Sequence, residues 1–278
     1  MTTYAGHGNA LGASTYVDHR VGLAGVSAKT IADAVAADGA AFIINHPTLA
    51  LGDLCIGCAW SLPDTPWAEV AGIEIQNGNY LVTGLLFTPQ AIAMWDMLED
   101  QGYHLSATGG SDDHTAGMNE GINGSPIGSP TTLVRADELS EAAIVAAVKA
   151  HRTVVLFRGP DDPEVDITVK GAGGAVADIG DTATGISSIE LDAHVVGVVP
   201  DDGVLLAIVR DGMQVDQVLV EGGDFRTSFT YPVKGGPERI RAELLADGGR
   251  IVVTSHIYVD GTIESGGCAR SAGAAGRV

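Results

Sequence analysis

Three imidazoles and a carboxylate stand where the chain can bring them to one place. His46 follows the apolar run Ala41 to Ile44 in Asn45-His46-Pro47, and Ser111-Asp112-Asp113-His114 follows Leu105 to Thr108. His7 lies between glycines in Gly6-His7-Gly8-Asn9, and Glu74 and Asn77 flank the end of a third apolar run, Ile73 to Ile75. Imidazole and carboxylate are the groups through which proteins hold zinc, manganese or iron, and such an ion makes water a nucleophile near neutral pH. Asp112 and His114 are two residues apart, so in an extended segment both face the same side. Gly109 and Gly110 before them read as a tight backbone turn. Each motif alone is short: His-Pro is common in loops, Asp-x-His is frequent, and Gly-His-Gly reads equally as a glycine turn with an exposed imidazole. Their force lies in the combination. No Gly-x-Ser-x-Gly elbow competes with metal chemistry.

Cys55-Ile56-Gly57-Cys58 places two thiols two residues apart. Packing against Trp60 and Trp67, a disulfide, and a ligand role all remain open, and no second Cys-x-x-Cys pairs with it. His19, His104, His151, His194 and His256 show no partner pattern and read as surface or structural residues.

Elements of alternating type must carry these groups. Ser27 is placed to cap a helix over Ala28 to Asp38, closed by Gly39, and the run Ala41 to Ile44 follows as a buried strand. Thr88-Pro89 opens a helix with Ile92, Trp95, Met97 and Leu98 inside and Gly102 at its end. Leu105 to Thr108 and Thr132 to Val134 read as strands, and Ser140-Glu141 starts a third helix ending near His151-Arg152. Strands alternating with helices predict a parallel α/β sheet, open or closed into a barrel, whose functional groups gather beyond the carboxyl ends of the strands. From Pro160 the pattern turns β-rich, with Val165 to Val169, Ser187 to Ala193, Leu205 to Arg210, Phe225 to Tyr231 and Ile251 to Ser255 as strands. Asp-Gly and Gly-Gly pairs separate them, and Pro237 to Leu245 reads as a short helix or a strand pair. The expected domains are residues 1–158, a β-sandwich over residues 159–264, and a flexible tail over residues 265–278.

The 278 residues are 45% hydrophobic with a mean hydropathy of +0.20, which fits a globular chain rather than a disordered one. No apolar run spans a bilayer, so membrane insertion is not expected. A net charge of −20 repels phosphate backbones and argues against nucleic acid as a partner. Three cysteines are too few for a disulfide framework and fit a reducing compartment. Residues Met1 to Gly12 lack a basic and an apolar signal region, so a cytoplasmic location is expected, or an extracellular one if a segment precedes Met1.

Gly6-His7-Gly8-Asn9-Ala10-Leu11-Gly12, Ile44-Asn45-His46-Pro47, Glu74-Ile75-x-Asn77-Gly78, Trp95-Asp96-x-Leu98, Gly109-Gly110-Ser111-Asp112-Asp113-His114 and Gly128-x-Pro130-Thr131-Thr132 resemble, in order, the later half of a PHP domain. The match is to its carbaryl-hydrolase-like metallohydrolase branch and covers about residues 1–158. The resemblance implies a partial distorted (β/α)7 barrel with two or three divalent transition-metal ions (zinc, manganese or iron). By that resemblance His7, His46, Asp112 and His114 are metal ligands, with Asp112 and His114 closest to the chemistry. Asn9, Asn45, Glu74 and Asn77 are supporting residues, and Ser111 orients the carboxylate. The family's amino-terminal His-x-His, Asp-His and Glu motifs have no counterpart here, so fewer ions and impaired activity are expected. A barrel without its first strands also exposes sheet edges that invite a second copy of the chain. Two functions follow as expectations: a metal-dependent hydrolase of small-molecule phosphoester or related ester bonds, or a non-catalytic binding protein on a degenerate scaffold.

Overall fold

Residues 1–118, 124–174 and 176–262 are described by the computed structural model, so the expected tail over residues 265–278, with Cys268, lies outside the described residues. In chain order the first part forms β1 (Thr2–Thr3), β2 (Gly6–Leu11), α1 (Ala28–Ala37), β3 (Ala41–Asn45), β4 (Gly72–Asn77), α2 (Tyr80–Thr83), α3 (Thr88–Asp100), β5 (Ser106–Gly110), β6 (Thr131–Val134), α4 (Glu141–Lys149) and β7 (Thr153–Leu156). There follow β8 (Glu164–Lys170), β9 (Val176–Asp178), β10 (Thr182–Thr184), β11 (Ser188–Val196), β12 (Leu205–Arg210), β13 (Met213–Leu219), β14 (Asp224–Pro232), β15 (Pro237–Ala246), β16 (Gly249–Thr254) and β17 (Ile257–Asp260).

Local chemistry sets the helix ends. The Ser27 hydroxyl accepts from Thr30 N while Thr30 Oγ1 accepts from Ser27 N, a reciprocal cap that satisfies two otherwise free donors of α1. Ile31, Ala32 and Val35 then bury one face of α1. Pro89 occupies the first turn of α3, where no backbone N–H is needed, and Ala91, Ile92, Trp95 and Leu98 face inward. Met97, expected inside, is exposed. Trp95 is fully buried, and its indole N–H donates to Leu105 O at 3.0 Å, pinning α3 to the strand that follows.

The first sheet has the order β1-β2-β3-β4-β5. β2 runs antiparallel to β3, pairing His7 with Asn45, whereas β3, β4 and β5 are parallel. Two further sheets face each other over one apolar core. One follows β10-β17-β15-β16-β7-β6, with β12 and β13 attached through β15, and the other is β14-β11-β8-β9. Their shared core includes Ile167, Val169, Leu191, Val195, Leu206, Ile208, Ala242 and Leu244. Asp211 (φ 50°) and Gly212 (φ 75°) form the tight turn between β12 and β13, as the Asp-Gly pair predicts. The segment from Pro237 is one long strand, neither a helix nor a strand pair.

The expected partial (β/α)7 barrel is not formed. Strands hold 38% of the described residues and helices 17%, and the sheets do not close on one another. The reason is visible at β5. Where a barrel would continue with another strand, side-chain hydroxyls take the backbone groups instead. Gly109 N and O both bond Thr132 Oγ1 at 2.9 Å, Ala107 N donates to Ser255 Oγ at 3.0 Å, and Ala107 O accepts from Thr153 Oγ1 at 2.7 Å. These hydroxyls satisfy the edge without extending the ladder. They come from the neighbouring sheet, in which β7 pairs antiparallel with β16 through Val253 and Val155. That pairing crosses the boundary expected at residue 158, so the two halves share a sheet.

Candidate metal centre

The carboxyl ends of β3 and β5 and the end of β2 nearest them meet at one rim. β3 delivers His46 one residue beyond its last paired position, and Asp112 stands two residues past β5. Both adopt positive φ, 29° at His46 and 51° at Asp112, a region that costs a side-chain-bearing residue energy and is kept where a site fixes it. His7 projects from β2, with its ring centroid 5.1 Å from that of His46 in an edge-on arrangement. His46 Nε2 lies 4.0 Å from Asp112 Oδ2, and Asp112 Oδ1 lies 3.1 Å from His114 Nε2. The four residues expected as ligands thus stand in a row of successive contacts, His7 to His46 to Asp112 to His114, and the segment carrying Asp112 and His114 is a loop rather than an extended strand.

Backbone carbonyls set both imidazoles. His46 Nδ1 donates to Cys58 O at 3.0 Å, which turns Nε2 toward Asp112. His7 Nε2 donates to Ile56 O at 3.2 Å and leaves Nδ1 free. Burial, then the neighbouring His46, lowers the His7 pKa below its usual value, which favours the neutral form that coordinates. Cys58 joins them: one ligand atom from each of His7, His46 and Cys58 lies within 4.8 Å of the other two. This His–His–Cys group can hold a metal. Cys58 is bonded to Cys55 as a disulfide with a Cα–Cα distance of 5.5 Å.

Glu74 lies beneath the rim. Its Oε2 accepts from His46 N at 2.7 Å and from Asn77 Nδ2 at 3.2 Å. Burial, reinforced by the charge of Asp112, pushes its pKa up to about 8. Gly110 is where this carboxyl comes closest to β5: a Cβ there would lie 2.5 Å from Glu74 Oε1. Gly109 and Gly110 are paired strand residues rather than a tight turn, and the missing side chain serves this close approach. Ser111 does not orient the Asp112 carboxylate; its Oγ accepts from Asp113 N at 3.4 Å. Asn9 is exposed, and Asn45 is the last residue of β3. Cys58 and the carbonyls of Ile56 and Cys58 are the parts of the centre that residue patterns did not single out as such.

Elsewhere, Asp96, part of the Trp-Asp-x-Leu motif, pairs with Arg241 through both carboxylate oxygens, away from the rim. No helix among the described residues is long and apolar enough to cross a membrane.

No protein-family model matches the chain, and no curated protein matches it. Among solved structures it is similar to the CARDB domain of a Pyrococcus furiosus protein in two forms. A solution NMR structure shows 16% identity over 37% of this chain and 97% of that one at a TM-score of 0.25. A crystal structure in complex with di-metal ions shows 15% identity over the same shares, also at 0.25. An engineered protein shows 14% identity over 68% of this chain and 49% of that one, at a TM-score of 0.23.

Proposed function

We propose that the chain is a metal-dependent hydrolase that holds one divalent transition-metal ion at the rim formed by His7, His46, Asp112 and His114 and acts on a small-molecule ester or phosphoester. The observation that carries this is His46: its Nδ1 is committed to a carbonyl, and its Nε2 faces a carboxylate oxygen 4.0 Å away. Two atoms bound to one ion at about 2.1 Å each lie at most about 4.2 Å apart, so this separation suits a shared ion. The donors suit one ion better than the two or three of the resemblance, because the convergent donors found among the described residues form one group, built on His7 and His46 with Cys58. An ion held there supplies Lewis acidity, lowering the pKa of water and drawing charge from the ester oxygen.

The remaining chemistry belongs to the chain. Asp112 supplies the anionic charge, Glu74 holds the His46 backbone in place, and His114 Nε2, 3.1 Å from Asp112 Oδ1, orients that carboxylate at the rim. The Asp112 and His114 side chains are 41% and 82% exposed. That openness favours a second reading, non-catalytic ligand binding, since among the described residues none covers these side chains against bulk water.

The test is metal content together with hydrolysis of p-nitrophenyl phosphate and p-nitrophenyl acetate, for the natural chain, His46→Ala and Asp112→Asn. One bound ion and metal-dependent turnover are expected, both reduced in the variants. Bound metal without turnover selects the binding reading, and metal content unchanged in both variants refutes the centre.

A further inference from the structure

The segment Cys55 to Cys58 touches the centre at three points. Ile56 O accepts from His7, Cys58 O accepts from His46, and Cys58 Sγ stands within 4.8 Å of a ligand nitrogen of each ring. One turn of chain therefore orients both imidazoles and carries the third donor. Gly57 seats it: at φ 78° it lies against β1 so closely that a Cβ would overlap Thr3 O and come within 2.9 Å of Tyr4 C. Cys58 is buried while Cys55 is partly exposed, so the outer sulfur is within reach of a reductant and the inner one faces the rings.

The bonded state of these cysteines decides what the ion meets. A disulfide sulfur is neutral and a weak donor, whereas a cysteine thiolate is among the strongest ligands for zinc and its neighbours. We infer that the Cys55–Cys58 disulfide is a redox gate on the metal centre: reduction frees Cys58 as a further ligand beside His7 and His46, so metal affinity follows the thiol state of the pair. This rests on the metal-binding reading of the same rim. The exchange balances with a dithiol as the reductant. The S–S bond breaks, Cys55 and Cys58 each gain a hydrogen, and the dithiol loses two electrons and two protons as it closes to its own disulfide. On loading, Cys58 releases its proton to solvent and binds as the thiolate.

A merely structural disulfide predicts the opposite sign, because reduction would loosen the loop and weaken binding. The experiment titrates the full chain with Co2+ alone, oxidised and then reduced by a dithiol that is removed under anaerobic conditions, with Zn2+ as competitor. Reduction is expected to tighten binding by about tenfold or more and to bring up a thiolate-to-cobalt charge-transfer band absent from the oxidised protein. Cys55→Ser, in which Cys58 has no partner in the motif, should behave as the reduced protein without reductant. Cys58→Ser should bind weakly in both states and show no band. Both variants lose the disulfide, so equal behaviour of the two overturns the gate, as does unchanged or weaker binding on reduction. His46→Ala separates the readings. If it loses cobalt in both redox states while reduction changes nothing in the natural chain, the centre stands and the gate fails. If no state of the natural chain binds cobalt, both fail.

Discussion

Replacing Gly110 by alanine tests how the centre is held from behind. The added methyl carbon would lie 2.5 Å from Glu74 Oε1, whereas ordinary contact begins at 3.4 Å, and the backbone of β5 is fixed by its pairing with β4. The carboxyl must therefore retreat by about 0.9 Å to restore normal van der Waals contact. Its other oxygen accepts from His46 N at 2.7 Å. The same displacement stretches that bond to about 3.6 Å, beyond hydrogen-bonding range. A buried N–H left without a partner costs about 1–3 kcal/mol. Because this bond fixes the backbone from which the His46 ring projects, metal affinity should fall by about 10- to 100-fold, the usual effect of losing an outer support. Gly222→Ala is the control, since nothing lies within 4 Å of its Cβ position and its φ is not positive. Urea unfolding and zinc titration of the two variants supply the comparison. A Gly110→Ala protein that matches the control in both stability and zinc affinity would refute the claim that Glu74 positions His46.

Two further outcomes concern the joint between the first part of the chain and the sandwich. Asp96→Ala leaves Arg241, 1% exposed, with only Glu243 as a carboxylate partner, so a loss of about 3–5 kcal/mol is expected in urea unfolding; a loss below about 1 kcal/mol would reject a stabilising role. His151 sits among Ser106, His104 and Tyr258, and burial lowers its pKa to about 4 against the favourable charge of Glu99. The unfolded chain takes up this proton near pH 6.5 and the folded one only near 4. Stability from this group is therefore complete above pH 6.5 and falls as pH drops through that window, by about 3 kcal/mol in all. Unfolding of the natural chain and His151→Gln at pH 4 and pH 7 isolates the contribution, and an identical pH dependence in the two would remove it.

The centre was legible where its residues end strands. His46 and Asp112 follow apolar runs that do form parallel neighbours, and a side chain at such an end emerges at the rim whatever the remaining topology. The role of Gly110 was not legible, because a glycine pair before a polar loop reads as a turn unless the carboxyl packed behind it is known. Cys58 was left open for a related reason. It stands twelve residues beyond His46, inside the connection from β3 to β4, and no periodicity relates a loop sulfur to a strand-end imidazole. Its distinguishing feature is a carbonyl bond to the ring it accompanies, which residue types do not encode.

The fold was legible element by element but not as an assembly. Helices over Ala28–Ala37, Thr88–Asp100 and Glu141–Lys149 follow from caps and apolar spacing, yet the barrel that the motif resemblance implied is not made. Thr132, Thr153 and Ser255 decide this, and in sequence they are ordinary strand or strand-end residues; only their register against Ala107 and Gly109 turns their hydroxyls into an edge cap. β15 misleads in a complementary way. Arg239, Arg241 and Glu243 alternate with Ile240, Ala242 and Leu244, the signature of a strand with one wet face. All three charged residues are buried: α3 lies across that face and meets Arg239 and Arg241 with Asp96 and Asp100, while Glu243 pairs with Arg241 and Arg250. Alternation identifies the face that is polar, and the carboxylates on a helix some 140 residues earlier determine whether water or protein covers it.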